Sequence, residues 1–387
     1  MKKYFLIITI IFGLLLSCGG QKDPNEFILL GDYTGNSKYL VLGYKDLNGN
    51  YKSDTLVLKN NKFEVSGKIM SPQEVGITDD KNDDLNSVQF FIEPKTIKIS
   101  LKEDVFNDAK IENSKSQIEY EKLNHLINPI YKMMDSIIQR KKELNAQKLI
   151  EIDTSKKKEL ENRINQIDND WEKLYDSIKH VKLKFAKEHP NSYVSPNTLY
   201  IHLHNIPLDT LKSYYNHFST EVQNSISGQE IASHIERLSM TNAPIFETLD
   251  NNGNLLSLSS FQGKYVLLDF WAGWCKPCIA LHPELSEIYN TYHSKGLEII
   301  GISLDNDKEN WKKAIDTNKL HLWHQIYSGR SRAKNTIVYQ YNIYAIPAYI
   351  LIDKEGNIIG RYLNAVGDDT NSSNGMSDLK DKLKELF

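Results

Sequence analysis

Two thiols separated by a lysine and a proline, in Trp274-Cys275-Lys276-Pro277-Cys278, are the residues of this chain best placed to do chemistry. Cysteines at that spacing can close a small disulfide, and a thiolate at one of them can attack a disulfide elsewhere, so the pattern points to redox exchange. An apolar run from Tyr265 to Trp271 precedes the pair, and a helix-patterned segment from Lys276 to Tyr292 follows it. This order puts Cys275 at a helix N-terminus, where unpaired N–H groups and the macrodipole favour an anion, and makes it the nucleophile. Lys276 adds a positive charge and Pro277 suits the first helical turn, so both tune the couple. Cys278, one turn further in, is the resolving thiol. Asp269, a carboxylate inside the apolar run, is the candidate acceptor for the proton that resolution releases. Trp271 and Trp274 would flank the thiols as an apolar platform, with core packing as the other reading of Trp271.

The elements needed to hold this site can be read around it. Tyr265 to Phe270 and Leu297 to Ser303 are apolar runs of strand length. Asn310 to Thr317 is patterned as a helix, and Ala348 to Ile352 with Ile358 to Tyr362 reads as a hairpin about Asp353-Lys-Glu-Gly-Asn357. Ahead of them, Ala243 to Glu247 and Leu255 to Leu258 read as a short strand pair followed by a turn or helical step. Strand, helix, strand, helix and hairpin describe a mixed sheet covered by helices, an α/β domain.

Leu268-Asp-Phe-Trp-Ala-Gly-Trp-Cys-Lys-Pro-Cys278 resembles the active-site strand and turn of the thioredoxin superfamily. Tyr344-Ala-Ile-Pro-Ala-Tyr-Ile-Leu-Ile-Asp353 is similar to its second signature, an X-Pro bond in cis just before a sheet strand. Ala243-Pro-Ile-Phe246 and the insert from Lys308 to Tyr339 resemble the TlpA-like branch of extracytoplasmic thiol-disulfide oxidoreductases, related to those serving cytochrome c maturation. The resemblance implies a protein disulfide oxidoreductase with no cofactor. It implies oxidised envelope proteins or apocytochrome-type chains as clients and a membrane electron donor as partner. Pro347 would pack beside the thiols, Ile346 would offer backbone groups to an extended client strand, and Trp274 would lie on the client side. Two positions depart from the pattern. Gly301 stands where thioredoxins carry a lysine that pairs with the buried aspartate, and Leu281 where many TlpA-like proteins carry a glutamate, which leaves Asp269 as the expected proton acceptor.

The third cysteine, Cys18, has a different context. Met1-Lys-Lys3 starts the chain, an apolar run from Tyr4 to Leu16 follows, and Leu15-Leu16-Ser17-Cys18 resembles the lipobox of bacterial lipoproteins. The run, about 13 residues, falls short of the ~20 a spanning helix needs. Residues 1–17 are therefore expected to be a signal peptide, Cys18 the lipidated residue that attaches the chain to a bilayer, and 18–26 a polar tether. The expected location is the cell envelope, facing the periplasm, with the outer membrane or cell surface left open. Residues 27–115 alternate apolar and polar between Asn, Gly and Pro turns and are expected to form a small antiparallel β-sandwich, similar to the extension of Bacteroidetes lipoproteins.

Residues 116–240 are expected to be helical, with 241–387 as the redox domain. Leu160, Ile164, Ile167, Trp171, Leu174, Ile178, Val181 and Phe185 draw one apolar stripe, and Leu123, Leu126, Ile127, Ile130, Met134, Ile137 and Ile138 another. The two stripes suit a helical hairpin in which Pro129 kinks or begins the first helix, and the second stripe leaves a homodimer seam open. Asn205-Ile-Pro207 reads as a later break.

The net charge of −3 argues against nucleic acid as a partner. A zinc site would need ligands besides Cys275 and Cys278; His282 lies one helical turn past Cys278, but His321 and His324 are far along the chain. A peroxiredoxin-like thiol peroxidase would carry a proline and a threonine ahead of its cysteine, where Leu268 and Ala272 stand. An envelope binding protein with an auxiliary redox domain is the remaining alternative.

Overall fold

A computed structural model describes residues 23–80, 86–203, 206–363 and 375–387. Cys18, the expected signal peptide, most of the tether and Asn205 lie outside the described residues. The chain divides into two compact units at Glu121/Lys122. No helix among the described residues is long and apolar enough to cross a membrane.

The first unit is built from strands β1 (Glu26–Thr34), β2 (Tyr39–Lys45), β3 (Tyr51–Val57), β4 (Lys62–Lys68), β5 (Gln73–Asp79), β6 (Ser87–Ile92), β7 (Thr96–Lys102) and β8 (Lys110–Glu112). They form two four-stranded sheets, ordered β4-β1-β7-β8 and β3-β2-β5-β6. Phe27, Leu29 and Tyr33 of β1 alternate inward and meet Leu40, Leu42, Ile77 and Phe90 of the other sheet in one core, as period-two patterning requires. One pairing departs from the antiparallel expectation: β1 runs parallel to β7, Ile28 facing Thr96. Alternation tells which face of a strand is buried and nothing about the direction of its neighbour, so this pairing could not be read in advance.

Two long helices follow, α1 (Lys115–Ile150) and α2 (Thr154–Glu188). Asp153 caps α2, its carboxylate accepting from the N–H groups of Ser155 and Lys156. Leu144 of α1 packs with Leu160, Ile164 and Ile167 of α2, and Lys148 bonds Glu161 at 2.9 Å, so the pair is a hairpin. Pro129 lies inside a continuous α1 and does not begin it. Trp171 leaves the expected stripe, 37% exposed and stacked on Tyr175, while Leu126 and Ile138 of α1 are exposed too. Shorter helices α3 (Val194–Tyr200), α4 (Leu208–His217), α5 (Thr220–Gln223) and α6 (Ile226–Ser239) close around Leu199, Leu211, Val222 and Ile231.

The remainder holds a two-stranded ribbon, β9 (Glu247–Leu249) with β10 (Leu255–Ser257), and the elements β11 (Tyr265–Trp271), α7 (Lys276–Tyr292), β12 (Leu297–Ser303), α8 (Lys308–Asn318), β13 (His324–Tyr327), α9 (Ile337–Gln340), β14 (Ala348–Ile352), β15 (Ile358–Leu363) and α10 (Gly375–Leu386). Five strands make one mixed sheet, ordered β13-β12-β11-β14-β15. β11 is its centre, parallel to β12 and antiparallel to β14. Burial on both faces explains the near-continuous apolar runs of β11 and β12. Asp250 and Asp353 close their turns alike: each Oδ1 accepts from the N–H groups two and four residues on, and a glycine at positive φ completes the turn. Asp46 repeats the device between β2 and β3.

Candidate active site

β11 ends at Trp271, and the chain turns through Ala272, Gly273 and Trp274 into α7. The turn is held from β12. The carboxylate of Asp305 accepts from Gly273 N–H at 3.0 and 3.1 Å, and Ser303 Oγ–H donates to the same carboxylate at 2.8 Å. Cys275 N–H donates to Ala272 O at 3.0 Å. This fixes Cys275 as the N-cap of α7, where its sulfur accepts from Cys278 N–H at 3.3 Å and Pro277 occupies the first turn. The helix end thus supplies N–H groups to the sulfur that would carry negative charge after reduction.

Cys275 and Cys278 are joined in a disulfide with Cα atoms 5.3 Å apart. Both are buried, at 4% and 1% exposure, so Cys275 is only slightly the more open of the two. The Ile346–Pro347 bond is cis, and Ile346 O lies 3.9 Å from Cys275 Sγ. In the disulfide this sulfur has no proton to donate, and the carbonyl marks the side on which backbone approaches the couple. Lys276 and Pro277 are exposed. Trp274 is 48% exposed, with the Arg330 guanidinium 4.7 Å from its ring centroid. Trp271 is no part of that surface. It is fully buried and its indole N–H donates to Gln325 Oε1 at 3.1 Å.

Asp269 points to the same side of the sheet as Trp271, beneath α7. It is 1% exposed, and neither carboxylate oxygen has a hydrogen-bond partner among the described residues. His282, 4% exposed, brings Nε2 to 3.5 Å from Asp269 Oδ2. Across the sheet, Asp269 faces Tyr349 on β14 and Gly301 on β12. Burial first, then the charges of Asp269 and Glu284, push the Tyr349 phenol far above its ordinary range, so it stays protonated. Gly301 leaves its place to Gln325, whose amide would lie 2.2 Å from a Cβ there and which also donates from Nε2 to Leu320 O at 3.2 Å.

The structure therefore gathers Cys275, Cys278, Ile346 and Pro347 at the end of the central strand, with Trp274 outside and Asp269 beneath. Asp305, His282 and Gln325 also belong to the site and were not among the residues expected to act in exchange. His282 could have been placed from its four-residue spacing to Cys278, and Asp305 from its position just past the carboxyl end of a strand adjacent to β11.

A family model described as thioredoxin-like matches residues 263–358, and one described only as a domain of unknown function (DUF4369) matches residues 27–120. A thiol-disulfide oxidoreductase ResA of Bacillus cereus is 32% identical over 121 residues, covering 31% of this chain and 67% of the relative. The ResA of Bacillus thuringiensis subsp. konkukian is 35% identical over 117 residues, 30% of this chain and 65% of that protein, so the chain spans just under two thirds of its length. Among solved structures, the thioredoxin domain of a Bacteroides vulgatus thiol-disulfide oxidoreductase is 34% identical over 38% of this chain and 95% of its own, with a TM-score of 0.32. A thiol-disulfide oxidoreductase from Bacteroides fragilis is also 34% identical, covering 38% and 99%, with a TM-score of 0.32. Through the segment that carries Cys275 and Cys278, the chain belongs to the thioredoxin-like family.

Proposed function

We propose that this protein is a thiol-disulfide oxidoreductase of the cell envelope, anchored to lipid through Cys18 and working as a reductant of protein disulfides. The observation that carries the reading is the Cys275–Cys278 disulfide at the N-terminus of α7, with the Ile346 carbonyl 3.9 Å from the Cys275 sulfur. In the reduced protein, the Cys275 thiolate attacks a client disulfide, forming a mixed disulfide and expelling one client thiolate. Cys278 loses its proton and attacks Cys275 Sγ; the mixed disulfide breaks, the second client thiolate leaves, and two electrons have passed to the client. Asp269, buried beneath the couple, gives the released proton a destination. Ile346 and Pro347 present the backbone edge and Trp274 the apolar surface on which an extended client segment would rest. A membrane-bound dithiol donor restores the thiols, and oxidised envelope proteins or apocytochrome-type chains are the clients.

The test is reduction of insulin by the dithiothreitol-reduced protein. Cys275→Ser should abolish it, and Cys278→Ser should accumulate a mixed disulfide with the client. Retained activity in Cys275→Ser would sink the reading. A reduction potential near the ≈ −120 mV of strong oxidants, titrated against glutathione, would reverse the assigned direction. Loss of membrane association in Cys18→Ala tests the anchor.

A further inference from the structure

The Asp269–His282 pair is unusual for a domain interior. A carboxylate with no hydrogen-bond donor in a fully buried site is strongly disfavoured unless a countercharge or a proton compensates it. His282 is the one group among the described residues that forms an ion-pair contact with Asp269, at 3.5 Å, and neither ring nitrogen is hydrogen-bonded among those residues. The imidazole is held edge-on by Trp271, centroids 5.1 Å apart at 81°, with Trp323 further off at 6.4 Å. Cys278 and His282 are both buried on the inner face of α7, four residues apart, which sets their Cβ atoms about 5–6 Å from each other. The imidazole thus meets the carboxylate on one side and lies one helical turn from the resolving sulfur on the same buried face of α7, and a carboxylate so close to an imidazole favours its protonated form.

From this geometry we infer that His282 takes the proton of Cys278 during resolution, and that Asp269 positions the imidazole and neutralises it once charged. The inference rests on the thiol exchange proposed above and changes the proton's destination within it. The balance is closed: Cys278–SH and neutral His282 become a thiolate and an imidazolium, and the thiolate forms the Cys275–Cys278 bond as the client sulfur leaves with the electron pair. The imidazolium then returns its proton to solvent.

The other groups facing the pair do not compete for this role. Tyr349 on β14 keeps its phenolic proton through burial. β12 presents Gly301, and β13 presents the uncharged amide of Gln325. Glu284 of α7, whose charge reaches Tyr349, is tied to Lys380 of α10.

The experiment uses the whole protein, reduced and then mixed with 5,5′-dithiobis(2-nitrobenzoate), so that Cys275 forms a mixed disulfide as a first coloured aromatic thiolate leaves, and the attack of Cys278 releases the second, whose slower appearance is timed. His282→Gln should slow release at about pH 7 by roughly a hundredfold, the lower end of what a general base contributes. The deficit should narrow as the pH is raised towards about 10, because hydroxide then takes the thiol proton in place of the imidazole. A rate unchanged at neutral pH, or one reduced equally at both, would overturn the inference, since a structural defect has no reason to vanish with alkali. Histidine nitrogen shifts in the unmutated protein give a second readout that needs no variant to fold. The His282 ring-nitrogen shifts should differ between dithiol and disulfide forms; identical shifts overturn the inference. A wild type that forms the mixed disulfide but never releases the thiol refutes the exchange itself, and this inference with it.

Discussion

Replacing Gly301 by alanine should destabilise the redox domain through one amide group. An added Cβ would lie 2.2 Å from Oε1, 2.7 Å from Cδ and 2.8 Å from Nε2 of Gln325. That amide cannot simply swing aside. It is fully buried, accepts from Trp271 Nε1 at 3.1 Å and donates to Leu320 O at 3.2 Å. Moving it breaks both bonds, at about 0.5 kcal/mol each, and strands the buried indole N–H at about 1–3 kcal/mol more, a loss of roughly 2–4 kcal/mol. Urea unfolding of the oxidised full-length protein, followed by tryptophan emission, should show this as a midpoint lowered by about 1–2 M at m-values usual for such domains. Four of the five tryptophans, 271, 274, 311 and 323, lie in this domain and report it. Gln325→Ala alone should cost a similar amount, while the double variant should cost less than the sum by nearly the whole Gly301→Ala loss, because the methyl added at position 301 then meets no amide. Additive losses, or a loss below about 0.5 kcal/mol for Gly301→Ala, would refute the reasoning.

The helical segment should be acid-sensitive. Burial first, then Lys182 and Lys179 for His202 and Arg237 for His234, hold the two imidazoles down to about 4, so below about 6.5 the unfolded chain binds protons that the folded one refuses. Their contribution is whole above that pH and fades as pH falls towards 4, by about 2 kcal/mol for each histidine at pH 5; urea midpoints that do not fall between about pH 7 and 5 would contradict this. Gly228→Ala would put a Cβ 2.2 Å from the backbone oxygen of Val222 and 2.5 Å from that of Gln223, which only a shift of α6 can relieve. A loss of about 1–3 kcal/mol is expected in thermal unfolding, and an unchanged melting temperature would show that α6 yields freely. Trp274→Ala should raise KM for a protein client severalfold with kcat kept; an equal fall in kcat would move Trp274 from docking into the chemistry.

The sheet core was the part of the fold most open to reading. β12 and α7 have the bounds that composition suggested, because an apolar run between turn residues and a proline-initiated amphipathic segment each carry their own signal. β13 escaped notice: four residues, His324 to Tyr327, become a strand through pairing with β12 and not through their own pattern. α10 was missed as well, although its inward Met376, Leu379 and Leu383 follow helical spacing. Trp171 shows the converse error, an aromatic in phase with a stripe that the fold leaves half open, since periodicity names a face without saying how far its partner extends. In the site, the cysteines, Asp269 and Pro347 could be named because their local contexts are distinctive. The spacing to Cys278 sets His282 on the same face of α7, but its pairing with Asp269, like the place of Gln325, depends on a contact made between different elements of the sheet and its helix.

The parallel pairing of β1 with β7 bears on how the first unit is made. A ribosome emits β1 early, and its antiparallel neighbour β4 arrives soon after, whereas the opposite edge has no partner until residues as late as Thr96 to Lys102 have emerged. During synthesis that edge stands bare, with unmet N–H and C=O groups open to any extended segment nearby. The nascent chain is thus most vulnerable to mispairing just before β7 leaves the exit tunnel.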